Sequence, residues 1–135
     1  MQAPAPSPAA TAETASGAVL AQLFAAAVEA DPDAPAVAHG EDELSYRELD
    51  ERANQLGWRL RELGIGTGDI VAICLPRSVR MELTVLAVLK AGAAYLPLDG
   101  SYPASRLAYM LTDSGARLLV TDAAGRELLP AHPSV

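Results

Sequence analysis

Cys74 is the single cysteine in 135 residues. An internal disulfide framework is therefore excluded, and the composition suits a reducing compartment, so a cytoplasmic location is expected. Aromatic residues make up only 4% of the chain, so its core has to be built from aliphatic side chains. Basic residues are scarce as well: 10 Lys and Arg against 17 Asp and Glu leave a formal net charge of -7. Nucleic acids and anionic membranes are held by Lys and Arg that neutralise phosphates, and this balance argues against both partners. No apolar run approaches the roughly eighteen residues of a membrane span. No His, Cys, Asp and Glu grouping has the spacing of a metal site.

What is present is a globular composition, 50% hydrophobic and 20% charged, on a length that suits one domain. The opening MQAPAPSPAATAETASG is Ala, Pro and Ser with one charge. It carries too little apolar surface to fold alone, so residues 1–18 are expected to form a disordered leader ahead of a domain at 19–135. Pro4, Pro6 and Pro8 interrupt it before a secretory signal core can form. From Val19, the spacing of Leu20, Leu23, Phe24, Ala27 and Val28 predicts a helix that Asp31-Pro32-Asp33 ends. Two short strands at 36–39 and 43–45 are expected around Gly40-Glu41-Asp42. Ser45 with Glu48 forms a capping box, and Leu49, Ala53, Leu56, Leu60 and Leu63 then mark one face of a helix closed by Gly64.

The second half alternates strand and helix. Residues 70–75 are apolar and rich in branched side chains, between Gly68-Asp69 and Pro76, as in a buried parallel strand. Residues 79–91 are apolar around nearly the whole circumference, which predicts a helix buried on most sides and closed by Lys90 and Gly92. A strand at 93–98, a helix with Pro103 in its first turn and an end at Ser114-Gly115, and a strand at 118–121 follow. The alternation predicts an α/β fold with right-handed crossovers and a parallel sheet of at least three strands with flanking helices.

Few residues invite a chemical reading. The run from Gly64 to Gly68 resembles a phosphate loop only superficially, because it follows a helix and opens a strand, the reverse of what such a loop requires. Arg77 and Ser78 are better placed for an anion, just beyond the carboxyl end of a parallel strand, although a serine there is ordinarily a helix cap. His39 and His132 have no acidic or nucleophilic neighbours in sequence and read as surface histidines. Cys74 reads as a small buried hydrophobe and Asp99 as a turn cap. No residue is assigned a catalytic, cofactor-binding or metal-binding role.

Two stretches carry a resemblance. LKAGAAYLPLD at 89–99 is similar to the second core motif of the amino-acid adenylation domains of nonribosomal peptide synthetases, within the adenylate-forming AMP-dependent synthetase and ligase superfamily. LSYREL at 44–49 resembles the first, and SYPASRLAYMLTDSGARLLVTD at 101–122 extends the likeness, which covers roughly 19–122. Gly100 departs from the pattern, which commonly has proline there. Physically both motifs are scaffold: the first starts a helix, and the second uses Ala91, Gly92, Ala93 and Ala94 to fold a strand back against its helix. The resemblance implies a complete domain that joins an amino acid to AMP, using ATP and Mg, and then passes the acyl group to a carrier protein. It also implies that the phosphate loop, the amino-acid pocket and the catalytic lysine lie farther along than Val135.

An N-terminal adenylation fragment, inactive alone, is thus the expected function, and the remainder of the adenylation domain is the expected partner. The alternative is a noncatalytic module that completes a split adenylation domain in trans. Both readings leave apolar surface open, because a parallel sheet is covered on both faces and the helix at 79–91 needs neighbours on all sides.

Overall fold

The computed structural model describes residues 8–129, with side chains from residue 19 onward. Its elements run α1 (Pro8–Ala30), β1 (Pro35–His39), β2 (Asp42–Ser45), α2 (Tyr46–Glu62), β3 (Ile70–Cys74), α3 (Val79–Lys90), β4 (Ala94–Pro97), α4 (Ala104–Asp113), β5 (Leu118–Thr121) and α5 (Ala123–Leu128). α1 begins at Pro8, ahead of the expected start at Val19. Alanine has the highest helix propensity, so a stretch with little to bury still takes helical backbone. Residues 1–7 of the expected leader lie outside the described residues.

β1 and β2 pair antiparallel as a separate hairpin, and β4-β3-β5 form a parallel sheet with β3 in the centre. In that sheet Val71 is level with Tyr95 on one side and Leu118 on the other. From β3 the chain moves one way to β4, then back across β3 to β5. Crossovers of one hand that travel in opposite directions put their helices on opposite faces.

The two cores follow from this reversal and from the alternation of side chains along each strand. Val71, Ile73, Leu118 and Val120 join Ala53, Leu60, Ala87 and Val88 on the face covered by α2 and α3. Ala72, Cys74 and Leu119 join Leu107 and Leu111 on the face covered by α4. Leu60, Ile73 and Leu107 are wholly buried, and each such side chain contributes about 1.5–3 kcal/mol.

α2 and α1 flank α3 and cover it only in part: Thr84, Ala87 and Val88 are buried, while Val79, Met81, Leu83, Val85, Leu86 and Leu89 are half-buried. α2 is fixed at its start by the expected capping box: Glu48 N–H donates to Ser45 Oγ and Ser45 N–H donates to Glu48 Oε1. α1 meets the rest through Phe24, whose ring lies 5.8 Å from that of Tyr46 and under the Lys90 ammonium at 5.6 Å. Val19, Leu20 and Leu23 on the same helix remain exposed.

α3 ends on Lys90, and Gly92 takes φ +84° to turn the chain into β4. A Cβ there would also stand 3.1 Å from Thr67 Oγ1, so the small residue of the second motif has a steric reason as well as a conformational one.

Candidate functional site

The three parallel strands end on a common cleft of about 760 Å³. Leu75, Pro76 and Arg77 reach it from β3, Leu98 and Asp99 from β4, and Asp122 from β5. The connection leaving β3 climbs to α3 on one face, and the connection leaving β4 drops to α4 on the other. A crevice opens between strand ends that diverge in this way, and open α/β sheets bind their ligands there.

The cleft is closed on one side by α5, which sequence periodicity does not reveal. Asp122 caps this short helix, its Oδ1 accepting from Gly125 N–H at 2.9 Å. Thr121 Oγ1 donates to the Cys74 carbonyl at 2.8 Å and ties β5 to β3 at the same level. Gly125 lies against that bond: a Cβ would fall on Thr121 Oγ1 and within 3.3 Å of the Cys74 carbonyl oxygen. The one local signal was the Asp122-x-x-Gly125 spacing, an aspartate three residues ahead of the amide that it caps.

Among the residues singled out from the sequence, Arg77, Cys74 and Asp99 meet in this cleft. Arg77 is exposed at the mouth. Ser78 acts as the cap of α3, accepting from Met81 N–H at 3.1 Å while its hydroxyl donates to the Pro76 carbonyl at 3.0 Å. Asp99 accepts from Ser101 N–H at 2.9 Å and from Ser101 Oγ at 2.7 Å. The backbone bond first, and then the hydroxyl, hold its carboxyl below the usual carboxylate range. Cys74 is buried, and burial pushes its thiol up despite an opposing contribution from Thr121.

The glycine-rich run lies at the other end of the sheet, where β3 begins. Gly64 takes φ +88° as the chain leaves α2, and Asp69 Oδ2 accepts from Gly66 N–H at 2.8 Å. Arg117 bridges this turn to the start of β5, donating to Asp69 Oδ2 at 3.1 Å and to the Gly64 carbonyl at 3.1 Å. It is a pinned turn. His39 has an acidic partner after all: its Nε2 is 3.1 Å from Glu82 Oε1, 43 positions away on α3. His132 lies outside the described residues.

Asp99 and Asp122 both accept from their own loops, and Arg77 is the one cation lining the cleft among the described residues. Among those residues no group of three or more His, Cys, Asp or Glu side chains is placed to hold a metal ion. No helix among the described residues is long and apolar enough to cross a membrane.

Residues 24–135 match the family described as AMP-binding enzyme, and the chain belongs to that family. It is 48% identical over 116 residues to the probable non-canonical nonribosomal peptide synthetase CymA of Salinispora arenicola, covering 86% of this chain and 2% of that protein. Among solved structures, the AMPPNP-bound form of the nonribosomal peptide synthetase FmoA3 superposes with a TM-score of 0.80 at 34% identity, over 86% of this chain and 13% of that one. NpsA-ThdA of Klebsiella oxytoca, an artificially fused adenylation-PCP di-domain, gives 0.78 at 28%, over 86% and 22%. The fold matches part of the N-terminal subdomain of such adenylation domains, and the chain spans a small part of each protein that it matches.

Proposed function

We propose that the chain is the opening segment of an amino-acid-activating adenylation domain of nonribosomal peptide biosynthesis, an ATP-dependent ligase working in the cytoplasm. The observation that carries this reading is the match of 24–135 to AMP-binding enzymes, joined to the likeness in fold to FmoA3. In the complete domain ATP and Mg would convert an amino acid to an aminoacyl adenylate and pyrophosphate, and a carrier-protein thiol would then take the acyl group. The AMPPNP-bound FmoA3 and the adenylation-PCP fusion support the nucleotide and the carrier.

This segment supplies scaffold to that reaction. α2, started by the first motif, and the turn of the second motif at Gly92 set one face of the sheet, while residues 1–18 stand ahead of the domain as a leader. By itself the segment is inactive, because its cleft lacks the donors that a transferring phosphate requires.

The test is amino-acid-dependent exchange of pyrophosphate into ATP, measured on the 135-residue chain and on a chimera in which it replaces the matching segment of FmoA3. No exchange from the chain and exchange from the chimera are expected. Exchange above background from the chain alone overturns its inactivity, and a folded chimera that exchanges with no amino acid overturns the assignment. Restoring exchange by adding the chain in trans to FmoA3 that lacks the segment would favour the split-domain alternative.

A further inference from the structure

α4 buries Leu107 and Leu111 against the sheet and turns Ser105, Arg106, Tyr109, Thr112 and Asp113 outward. Tyr109, in the middle of this outer face, is 68% exposed. Tyr102, in the loop before the helix, is 41% exposed, and the Arg106 guanidinium stands 5.2 Å from the centre of its ring. Tyrosine and arginine are among the side chains most enriched where proteins meet, because each brings a large contact area together with a polar group.

The charges on this face say which partner fits. Arg106 and Asp113 are seven residues apart, about 10 Å along the helix axis, with Tyr109 between them. Among the described residues neither side chain has an ion-pair partner. A two-fold axis through the middle of the stripe lays α4 antiparallel to α4 of a second copy. It sets each Arg106 opposite the other copy's Asp113 and brings the two Tyr109 rings together at the axis, so the face is complementary to itself. We infer that the outer face of α4 is a contact between two copies of this chain. Other exposed faces lack that pattern. Arg61 beside Trp58 is committed to the Lys90 carbonyl at 3.1 Å, and Val19, Leu20 and Leu23 carry no charge that selects a partner. The stripe is one helix wide and falls short of the roughly 1,600 Å² of a standard interface, so the dimer is weak, reversible and sensitive to salt. The inference goes beyond the proposed function and does not depend on it.

Charge reversal tests it, with sedimentation equilibrium on the 135-residue chain at low and high salt. A monomer–dimer equilibrium that salt weakens is expected. Arg106→Asp and Asp113→Arg each set like charges opposite one another and should weaken association at least tenfold. Combining them restores the opposite-charge pairs and should bring association back to within about threefold of the starting chain. Both changes fall at exposed positions and suit the helix dipole, an acid near the start of α4 and a base at its end, so circular dichroism should show the fold retained. Should either single variant misfold, the combined variant still decides. Trp58→Lys should leave association unchanged. A chain that stays monomeric at every concentration overturns the inference, as does a dimer indifferent to both reversals, a combined variant no better than the single ones, or a dimer lost with Trp58→Lys instead.

Discussion

Lys90 Nζ stands 2.6 Å from Asp50 Oδ1 and 2.9 Å from Asn54 Oδ1, so the last residue of α3 is held by the middle of α2. The same ammonium covers the Phe24 ring, which makes it the meeting point of three helices. Its side chain is 22% exposed and that of Asp50 28%, so the pair is worth more than a surface ion pair and less than a dry one. Lys90→Met should lower unfolding free energy by about 1–2 kcal/mol in urea titration. A double-mutant cycle with Asp50→Asn should show coupling of about 1 kcal/mol, and additivity of the two single changes would mean that the contact contributes nothing.

Gly125 makes a sharper prediction. Gly125→Ala puts a methyl group onto Thr121 Oγ1 and against the Cys74 carbonyl, neither of which is the end of a flexible chain. About 1–3 kcal/mol of destabilisation is expected from the overpacking, with loosening of α5 visible as faster amide exchange at 123–128. Adding Thr121→Ala to Gly125→Ala should recover part of the loss, because it removes the nearer obstacle. No recovery would move the conflict to the carbonyl.

Acid should destabilise the fold through three carboxyl groups held below their ordinary range. Asp69 is lowered by Gly66 N–H and then by Arg117, Glu48 by Ser45 through its backbone and then its hydroxyl, and Asp99 by Ser101 in the same order. A carboxyl whose folded pKa is depressed binds its proton more readily in the unfolded chain. Its contribution is therefore complete above the unfolded pKa of about 4 and disappears as pH falls through the lower folded value. The melting temperature should be level above about pH 5 and drop below about pH 4. Asp69→Asn should melt lower at neutral pH and show a shallower acid drop; an unchanged acid limb would contradict this account.

Cys74 should report global opening. It is 4% exposed, and burial raises its thiol, so little reactive thiolate meets solvent in the folded chain. Ellman's reagent at pH 8 is expected to react slowly with the native protein and rapidly in urea, with the midpoint of reactivity following the circular-dichroism transition. Fast labelling without denaturant would show that the strand end opens locally.

The parts that could be read from the sequence are those whose signals are local. The Ser45 and Glu48 capping box, the Gly92 turn and the strand at Leu118–Thr121 stand where the residues indicated, because each depends on neighbours within a few positions. The fold class followed from their alternation. The contacts that organise the cleft were not legible, since Thr121 and Cys74 are 47 positions apart and Gly125 matters only where those two meet. In the sequence Lys90 reads only as a helix end, and its Asp50 partner, 40 residues away, appears only once α2 lies on α3. That docking also supplies part of the cover that an all-round apolar α3 calls for. His39 likewise showed no acidic neighbour until folding brought Glu82 to it.

The position of β3 has a consequence for how such a chain is made. It is the first of the three parallel strands to be synthesised, yet both of its partners come later, β4 at Ala94–Pro97 and β5 at Leu118–Thr121. On a ribosome, β3 can pair on one side once α3 and β4 have emerged, while its other edge waits for α4 and β5 to cross over. During that interval an apolar strand presents unpaired amides and carbonyls to its surroundings, the arrangement most prone to pairing with a neighbouring nascent chain. Synthesis that pauses between Asp113 and Leu118 would prolong it.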